Sequence, residues 1–342
     1  MLAYIAKAEG SVSQTVVVDG RNIGNEPNTI IPILREINET IGTREELITK
    51  FAVIKPSIHP MYDLNYFFFQ LIPGDPCQFE YTGSCGHSIL ASIHVAIKWG
   101  WLPNANPGLR VRVFIENIGD SLVCEIDQAD KYSINCTAHF IDMNKTLLRN
   151  LLLTGNVTDI IHTDIGSFEI SLVSTGNPYV FVNAKDLGYF SKNELFQAGN
   201  DLYLKMEKIR NAASKLLGWN PKSVFPKIAA ISDYGNGNIT VRAISVPKWH
   251  PTIALTGATC LGVAGVIEET IVNKLVKSAG MSNNLINIDT PSGNTSVICA
   301  TTGRSLKDSL LYTSISNKRV DLIEPINLIK GETSSWKQSI LV

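Results

Sequence analysis

The chain has 342 residues, 44% of them hydrophobic and 18% charged, with a formal net charge of −1. Those proportions exclude a disordered chain and the basic footprint that nucleic-acid binding needs, and the length calls for two domains rather than one core. Six scattered cysteines, with no Cys-x-x-Cys pair and no Cys/His cluster at zinc spacing, argue against a disulfide framework or a structural metal.

The N-terminus reads as strand, turn and strand, without the basic and apolar regions of a secretory signal. Apolar runs are broken well before membrane-spanning length, so a cytoplasmic protein is expected. Short β-branched and apolar runs at 14–18, 50–54, 66–72, 109–115, 121–126 and 137–140 are punctuated by Gly, Pro, Asn and Asp, and predict strands joined by turns. A helix over 29–47 is amphipathic. A second, over 85–99, is apolar all round, which predicts burial on every side.

The second half repeats the plan. Strands are predicted at 169–173, 179–182, 228–232, 239–245, 285–289 and 295–301, with a polar helix over 194–217 and another all-round apolar helix starting near 258–260 and running to 276. Thr82-Gly83-Ser84-Cys85 opens the first buried helix, and Thr256-Gly257-Ala258-Thr259 offers a matching entrance to the other. One central helix wrapped by a sheet, twice over, points to internal duplication: an α+β chain with an N-terminal lobe over 1–168, a C-terminal lobe over 169–325 and a tail over 326–342.

Cys85 stands in Gly83-Ser84-Cys85-Gly86-His87, where a turn enters a helix. Helix-start amides and the positive end of the helix dipole favour an anion there, a thiolate or a bound carboxylate. Cysteine is also a small residue often buried for packing alone, and both readings stay open. His87 is placed to bind through its backbone amide more than its ring, with Gly86 and Ser88 beside it; His94 reads as a core histidine. Lys50 opens an apolar strand. Desolvated, it would serve as a base; the commoner outcome for a strand-end lysine is to point into solvent. In the second half, Thr256 and Gly257 offer backbone donors. Thr290-Pro291-Ser292-Gly293-Asn294 is a small, donor-rich turn, and Asn177 lies in a turn entering a strand. Walker, dinucleotide, zinc-protease and serine-hydrolase motifs do not occur, so nucleotide, zinc and serine-hydrolase readings lose their support.

An ordered set of motifs then resembles the 2-methylaconitate cis-trans isomerase (PrpF-like) family. They are Ile48-Thr49-Lys50-Phe51-Ala52-Val53-Ile54-Lys55-Pro56-Ser57, Asp63-Leu64-Asn65-Tyr66-Phe67-Phe68-Phe69-Gln70 and Tyr81-Thr82-Gly83-Ser84-Cys85-Gly86-His87-Ser88 in the first half. Gly176-Asn177-Pro178, Pro226-Lys227-Ile228, His250-Pro251-Thr252-Ile253-Ala254-Leu255-Thr256-Gly257-Ala258 and Pro291-Ser292-Gly293 follow in order. The resemblance implies the diaminopimelate-epimerase-like fold: two pseudo-symmetric lobes, each a curled sheet or barrel around a central helix, with the active site in the cleft between the helix N-termini. It implies a cofactor-independent isomerase moving a proton on a small carboxylate, by an allylic 1,3-shift or cis-trans isomerisation. Lys50 would be the base and Cys85 the facing proton donor or part of the carboxylate site. Ser13, Gly86, His87, Ser88, Asn177, His250, Thr256, Gly257, Ser292 and Gly293 would hold substrate.

The same resemblance aligns Ala254, rather than a second cysteine, with Cys85, which counts against a two-thiol racemase. The cations of the family's opening Arg-Gly-Gly-Thr-Ser-Lys are replaced by Glu9 and Gln14, and Thr290 replaces a histidine. Fewer cations suggest a substrate with fewer carboxylates or a bulkier one. A lyase or cyclase on the same scaffold and a non-catalytic binding protein are the alternatives. The expected partner is a small carboxylate, with no nucleic acid and no membrane; a homodimer is left open.

Overall fold

The computed structural model describes residues 1–42, 48–72, 75, 77–221, 223, 225–245, 248–282 and 284–326. The chain folds as two compact units. The first comprises Met1–Ala138 and the chain from Lys318 onward, the second His139–Asn317.

In the first unit the order is β1 (Ala3–Ala8), β2 (Thr15–Asp19), α1 (Pro27–Ile41), β3 (Lys50–Pro56), β4 (Leu64–Leu71), β5 (Phe79–Glu80), α2 (Gly86–Lys98), β6 (Arg110–Ile115), β7 (Asp120–Ala129) and β8 (Ser133–Ile141). The second unit holds β9 (Asp159–Thr163), β10 (Gly166–Ser174), β11 (Pro178–Asn183), α3 (Lys192–Gln197), α4 (Asn200–Leu216), β12 (Lys227–Asp233), β13 (Ile239–Ser245) and β14 (Lys248–Trp249). It continues through α5 (Leu255–Val266), α6 (Ile271–Ser278), β15 (Leu285–Thr290), β16 (Gly293–Thr301) and the long β17 (Leu310–Ile326), whose end returns to the first unit.

Strands β1, β2, β3, β4, β6, β7, β8 and β17 pair in a ring, a closed barrel of eight strands. Alternation assigns the two faces of its wall. Ala3, Ile5, Val16, Val18, Phe51, Val53, Phe69 and Leu71 face outward, into a cluster with the Ile30, Ile33, Leu34 and Ile37 stripe of α1. The residues between them, including Lys50, Ala52, Ile54 and Tyr66, face inward, where α2 packs against β1 to β4. Every α2 residue from Gly86 to Ala96 is buried, which explains its apolar circumference. Helix α1 starts on Pro27, whose missing N–H costs nothing there, and ends at Gly42 with φ 65°. The predicted helix ran to 47; residues 43–47 lie outside the described residues.

The second unit repeats this order. Parallel β2/β3 around α1 corresponds to parallel β11/β12 around α3 and α4, and parallel β4/β6 around β5 and α2 corresponds to parallel β13/β15 around β14 and α5. Helix α5 packs against β10, β11, β15 and β16, while α4 covers the opposite face through Leu202, Met206, Ile209 and Ala213. The duplication expected from two helix entrances therefore extends to nearly every element.

Three expectations are corrected. The second apolar helix is two helices, α5 and α6, bent by 73°: Ile267 turns extended, Glu269 takes φ 65°, and Thr270 caps the new start. The polar helix over 194–217 is likewise split at Gly199 into α3 and α4. The unit boundary falls at 138/139 instead of 168/169, because β9 pairs with β10 and β10 with β11 inside the second unit. Position 326 ends β17, so only 327–342 of the expected tail remains, outside the described residues.

The α5–α6 corner rests on few atoms. The Thr270 hydroxyl is fully buried, donates to the Ala264 carbonyl and accepts from the Asn273 amide at 3.1 Å; Asn273 Nδ2 donates to the Gly265 carbonyl at 2.7 Å. Thr270→Ala removes the cap and strands these groups, and is expected to cost about 1–2 kcal/mol, read as a lower urea midpoint with unchanged slope.

Candidate functional site

Lys50 is the first residue of β3, paired in register with Thr15 and Gln70. Its ammonium is buried, with 5% residue exposure, and donates to Ser11 Oγ at 2.7 Å. Of the two readings of Lys50, the solvent-facing one fails, because its place in the alternation puts it on the helix side of the wall. Ser11, which sequence reasoning did not single out, sits in the turn between β1 and β2 and donates to the Ser13 carbonyl at 2.7 Å. Ser13 Oγ donates to the Gln14 carbonyl at 2.7 Å and accepts from the Thr49 amide at 3.1 Å. The Ser13 hydroxyl is therefore committed to backbone, and shapes the turn that presents Ser11 to Lys50.

Cys85 is the N-cap of α2, extended at φ −135° and partly exposed, and its side chain caps nothing. The first intrahelical bond runs from the Ile89 amide to the Cys85 carbonyl at 3.0 Å. The amides of Gly86, His87 and Ser88 precede it at the positive end of the dipole. Tyr66, buried in β4, points its hydroxyl at the Cys85 carbonyl at 3.4 Å, with Ser88 beside it. Burial pushes the Tyr66 hydroxyl well above the ordinary phenol range, so it stays a neutral donor. The rings and hydroxyls of His87 and Ser88 are buried inside the barrel, so binding through backbone amides is the geometry available to them. His94 is a core histidine: burial lowers it to about 4, and its ring meets the Val320 backbone.

In the second unit Ala254 is the N-cap of α5, as Cys85 is of α2. Ala254 therefore corresponds to Cys85, and Thr256 and Gly257 lie inside the first turn. Asn177 Nδ2 donates to Thr256 Oγ1 at 3.1 Å, and the Asn177 carbonyl accepts from Cys260 Sγ at 3.2 Å. Thr259 Oγ1 donates to the Thr256 carbonyl at 2.7 Å and touches Thr175 Oγ1. Gly257 is a close approach; a Cβ there would lie 2.5 Å from Tyr179 Cζ. The Gly257 amide donates to the Ala254 carbonyl at 2.8 Å, which removes it from the expected donors and leaves the Thr256 amide. His250 is buried and its Nδ1 accepts from the Thr252 amide at 3.1 Å. The exposed turn carrying Ser292 and Gly293 is tied to this segment by the Ser292 amide on the Pro251 carbonyl, 3.1 Å.

The predicted residues thus gather in each unit. Lys50, Ser13 and Cys85 with the amides after it belong to the first barrel's inner wall and central helix. Asn177, His250, Thr256, Gly257, Ser292 and Gly293 cluster about the start of α5 in the second. Sequence reasoning missed Ser11, Tyr66 and Thr175. Ser11 and Thr175 lie two residues before Ser13 and Asn177 in corresponding turns, the one signal that could have found them.

Known proteins share this sequence and fold. The chain is 28% identical over 301 residues to 3-methylitaconate isomerase of Eubacterium barkeri, covering 77% of this chain and 78% of that one. A crystal structure of methylitaconate-delta-isomerase superposes with a TM-score of 0.69 at 23% identity, covering 98% of each chain. A crystal structure of a probable proline racemase from Agrobacterium radiobacter K84 gives 0.60 at 13% identity, over 98% of this chain and 94% of that one. The fold is that of the proline racemases and diaminopimelate epimerases. The sequence profile described as PrpF protein matches residues 32–320. This chain is an isomerase, and it belongs to the PrpF protein family.

Proposed function

We propose that this isomerase moves a proton between two carbons of a small unsaturated carboxylate, with Lys50 as the base. One observation carries the reading. The Lys50 ammonium is desolvated on the inner wall and, among the described residues, a neutral hydroxyl is its only side-chain partner. So placed, its nitrogen is tied to no carboxylate among the described residues. The 28% identity to an enzyme named for 3-methylitaconate supports a carboxylate substrate.

In the proposed step the neutral Lys50 amine takes a proton from the carbon γ to the carboxylate. The C–H electron pair becomes the new double bond, the old double bond moves toward the carboxylate, and the charge spreads over its oxygens. Amides of Gly86, His87 and Ser88, at the positive end of α2, hold that charge. The Cys85 thiol returns a proton at the α carbon, and the thiolate and ammonium left behind reset by exchange with solvent. No electron leaves the substrate, so proton carriers suffice. The six free thiols support a reducing, cytoplasmic setting.

The test follows deuterium from solvent into substrate by NMR, beginning with 3-methylitaconate and extending through unsaturated di- and tricarboxylates. The wild-type protein should exchange the γ and α positions. Lys50→Ala should lose γ exchange, and Cys85→Ala should keep γ exchange while slowing delivery at the α carbon. Undiminished γ exchange in Lys50→Ala would remove Lys50 from the role.

A further inference from the structure

A second lysine is buried at the same end of the first barrel. Lys318, in β17, has 4% exposure, and among the described residues no carboxylate lies within ion-pair distance of its ammonium. Its strand turns Lys318 and Val320 inward while Arg319 faces out. Around it are Cys136 of β8, whose thiol donates to the Lys318 carbonyl at 3.2 Å, Cys124 of β7 against Cys136, and Glu9 at the end of β1. None of these neutralises it at close range.

Two independent contacts locate this lysine relative to the groups already described. The Glu9 amide donates to the Arg319 carbonyl at 2.8 Å, and Ala8 pairs with Val320. The turn that follows Glu9 carries Ser11, which holds Lys50. Lys318 and Lys50 therefore flank the β1–β2 turn on β17 and β3, three strand spacings, or about 14 Å, apart around the wall and closer across it. The second contact is the His94 ring on the Val320 backbone. His87 lies two helical turns above His94 on the same face of α2, about 10 Å toward Cys85. Lys318 lies about 7 Å along β17 from Val320, on the Glu9 side where the strand meets the β1–β2 turn.

We propose that Lys318 is a substrate-binding residue whose ammonium, together with the amides that open α2, holds the substrate carboxylate. This rests on the proton-transfer reading only in taking the substrate to be a carboxylate; it does not need Lys50 to be the base. Burial lowers Lys318 to about 8, so at neutral pH it is still charged and able to receive an anion. A structural lysine would be satisfied by protein groups, whereas a binding lysine is left for the ligand and burdens the fold without it.

The experiment measures itaconate binding by titration calorimetry to the wild type, Lys318→Met, Lys318→Arg and Lys50→Ala, with thermal melting of each. Expected are a tenfold to hundredfold (roughly) weaker affinity in Lys318→Met, near-normal affinity in Lys318→Arg and binding retained in Lys50→Ala. Lys318→Met should also melt higher than wild type at pH 7. The sign follows from linkage: a lysine lowered by folding destabilises the native state below about 8, and that penalty fades as pH rises to about 10.5. The melting gap should close over that window. Unchanged itaconate affinity in Lys318→Met would overturn the proposal, as would a fall in melting temperature alongside lost affinity, since that marks a structural lysine. Loss of γ exchange assignments to Lys50 would leave these readings untouched, so the two ideas fail separately.

Discussion

Lys50→Met is expected to lower kcat/KM by about 10²–10⁴-fold, the contribution of a positioned general base, while the protein folds normally. Methionine fills nearly the volume of the lysine stem among Ala52, Ile54 and the α2 wall, and its thioether needs no proton partner. Ser11 keeps its own donor bond to the Ser13 carbonyl at 2.7 Å, so the turn retains its shape. Removing an ammonium held by one hydroxyl also relieves a desolvation cost, so the melting temperature should hold or rise. Lys50→Arg discriminates base from mere cation. Guanidinium cannot give up its proton near neutral pH, so an arginine that binds substrate but does not turn over marks proton removal as the lost step. Activity retained in Lys50→Met would show that another group abstracts the proton. The measurement is steady-state kinetics beside a thermal melt of the same preparation.

Much of the architecture was readable from alternation and from the two helices without a polar face. Helix α2 could be placed inside a sheet because residues from Gly86 to Ala96 include no charge, and an all-round apolar segment must be enclosed. The same logic obscured the α5–α6 corner. Leu255–Val266 is apolar all round and Ile271–Ser278 carries an apolar face in phase with it, so the apolar positions read through the turn between them. The clue was Thr270 three residues before Asn273, a capping pattern within a run that otherwise reads as one helix. Strand β17 escaped for the opposite reason: Ser314 to Arg319 is too polar to read as a core strand, although Lys318 is buried. Its inward positions alternate with exposed ones, as at Lys318, Arg319 and Val320, without an apolar run to mark them. The boundary between units was hidden with it, since a strand serving both units leaves no linker composition to find.

The site was legible where chemistry coincides with backbone geometry and obscure where it depends on pairing across the chain. Cys85 and the amides after it could be placed at a helix start from glycine and small residues alone. Ser11 meeting Lys50 joins positions far apart in sequence, and only the parallel register of β2 on β3 brings them together. The correspondence of Ala254 with Cys85 needed both helix caps to decide it. The two helix starts are thus chemically unlike: a thiol stands at the N-cap of α2 and a methyl group at the N-cap of α5.

Gly257→Ala is expected to destabilise the second unit by about 1–3 kcal/mol and to lower kcat/KM more than tenfold. Helix propensity alone would favour alanine by about 1 kcal/mol, so the sign is decided by packing. The added Cβ would sit 2.5 Å from Tyr179 Cζ, 2.7 Å from its hydroxyl and 2.9 Å from Ile253 Cγ1. Tyr179 cannot swing aside, because it is fully buried and its ring stacks on Phe181 with centroids 5.9 Å apart. The strain must therefore move the first turn of α5, and with it Thr256, breaking the 3.1 Å bond from Asn177 that orients this helix entrance. Gly265→Ala is the control. Its Cβ would meet the terminal Cδ1 methyl of Ile286, the far end of a flexible side chain, and it lies at the other end of α5 from Thr256. It should stay nearer to wild type in both urea midpoint and turnover. Equal losses in the two variants would mean that α5 tolerates no side chain along its buried face, and would detach the activity loss from the Asn177–Thr256 contact.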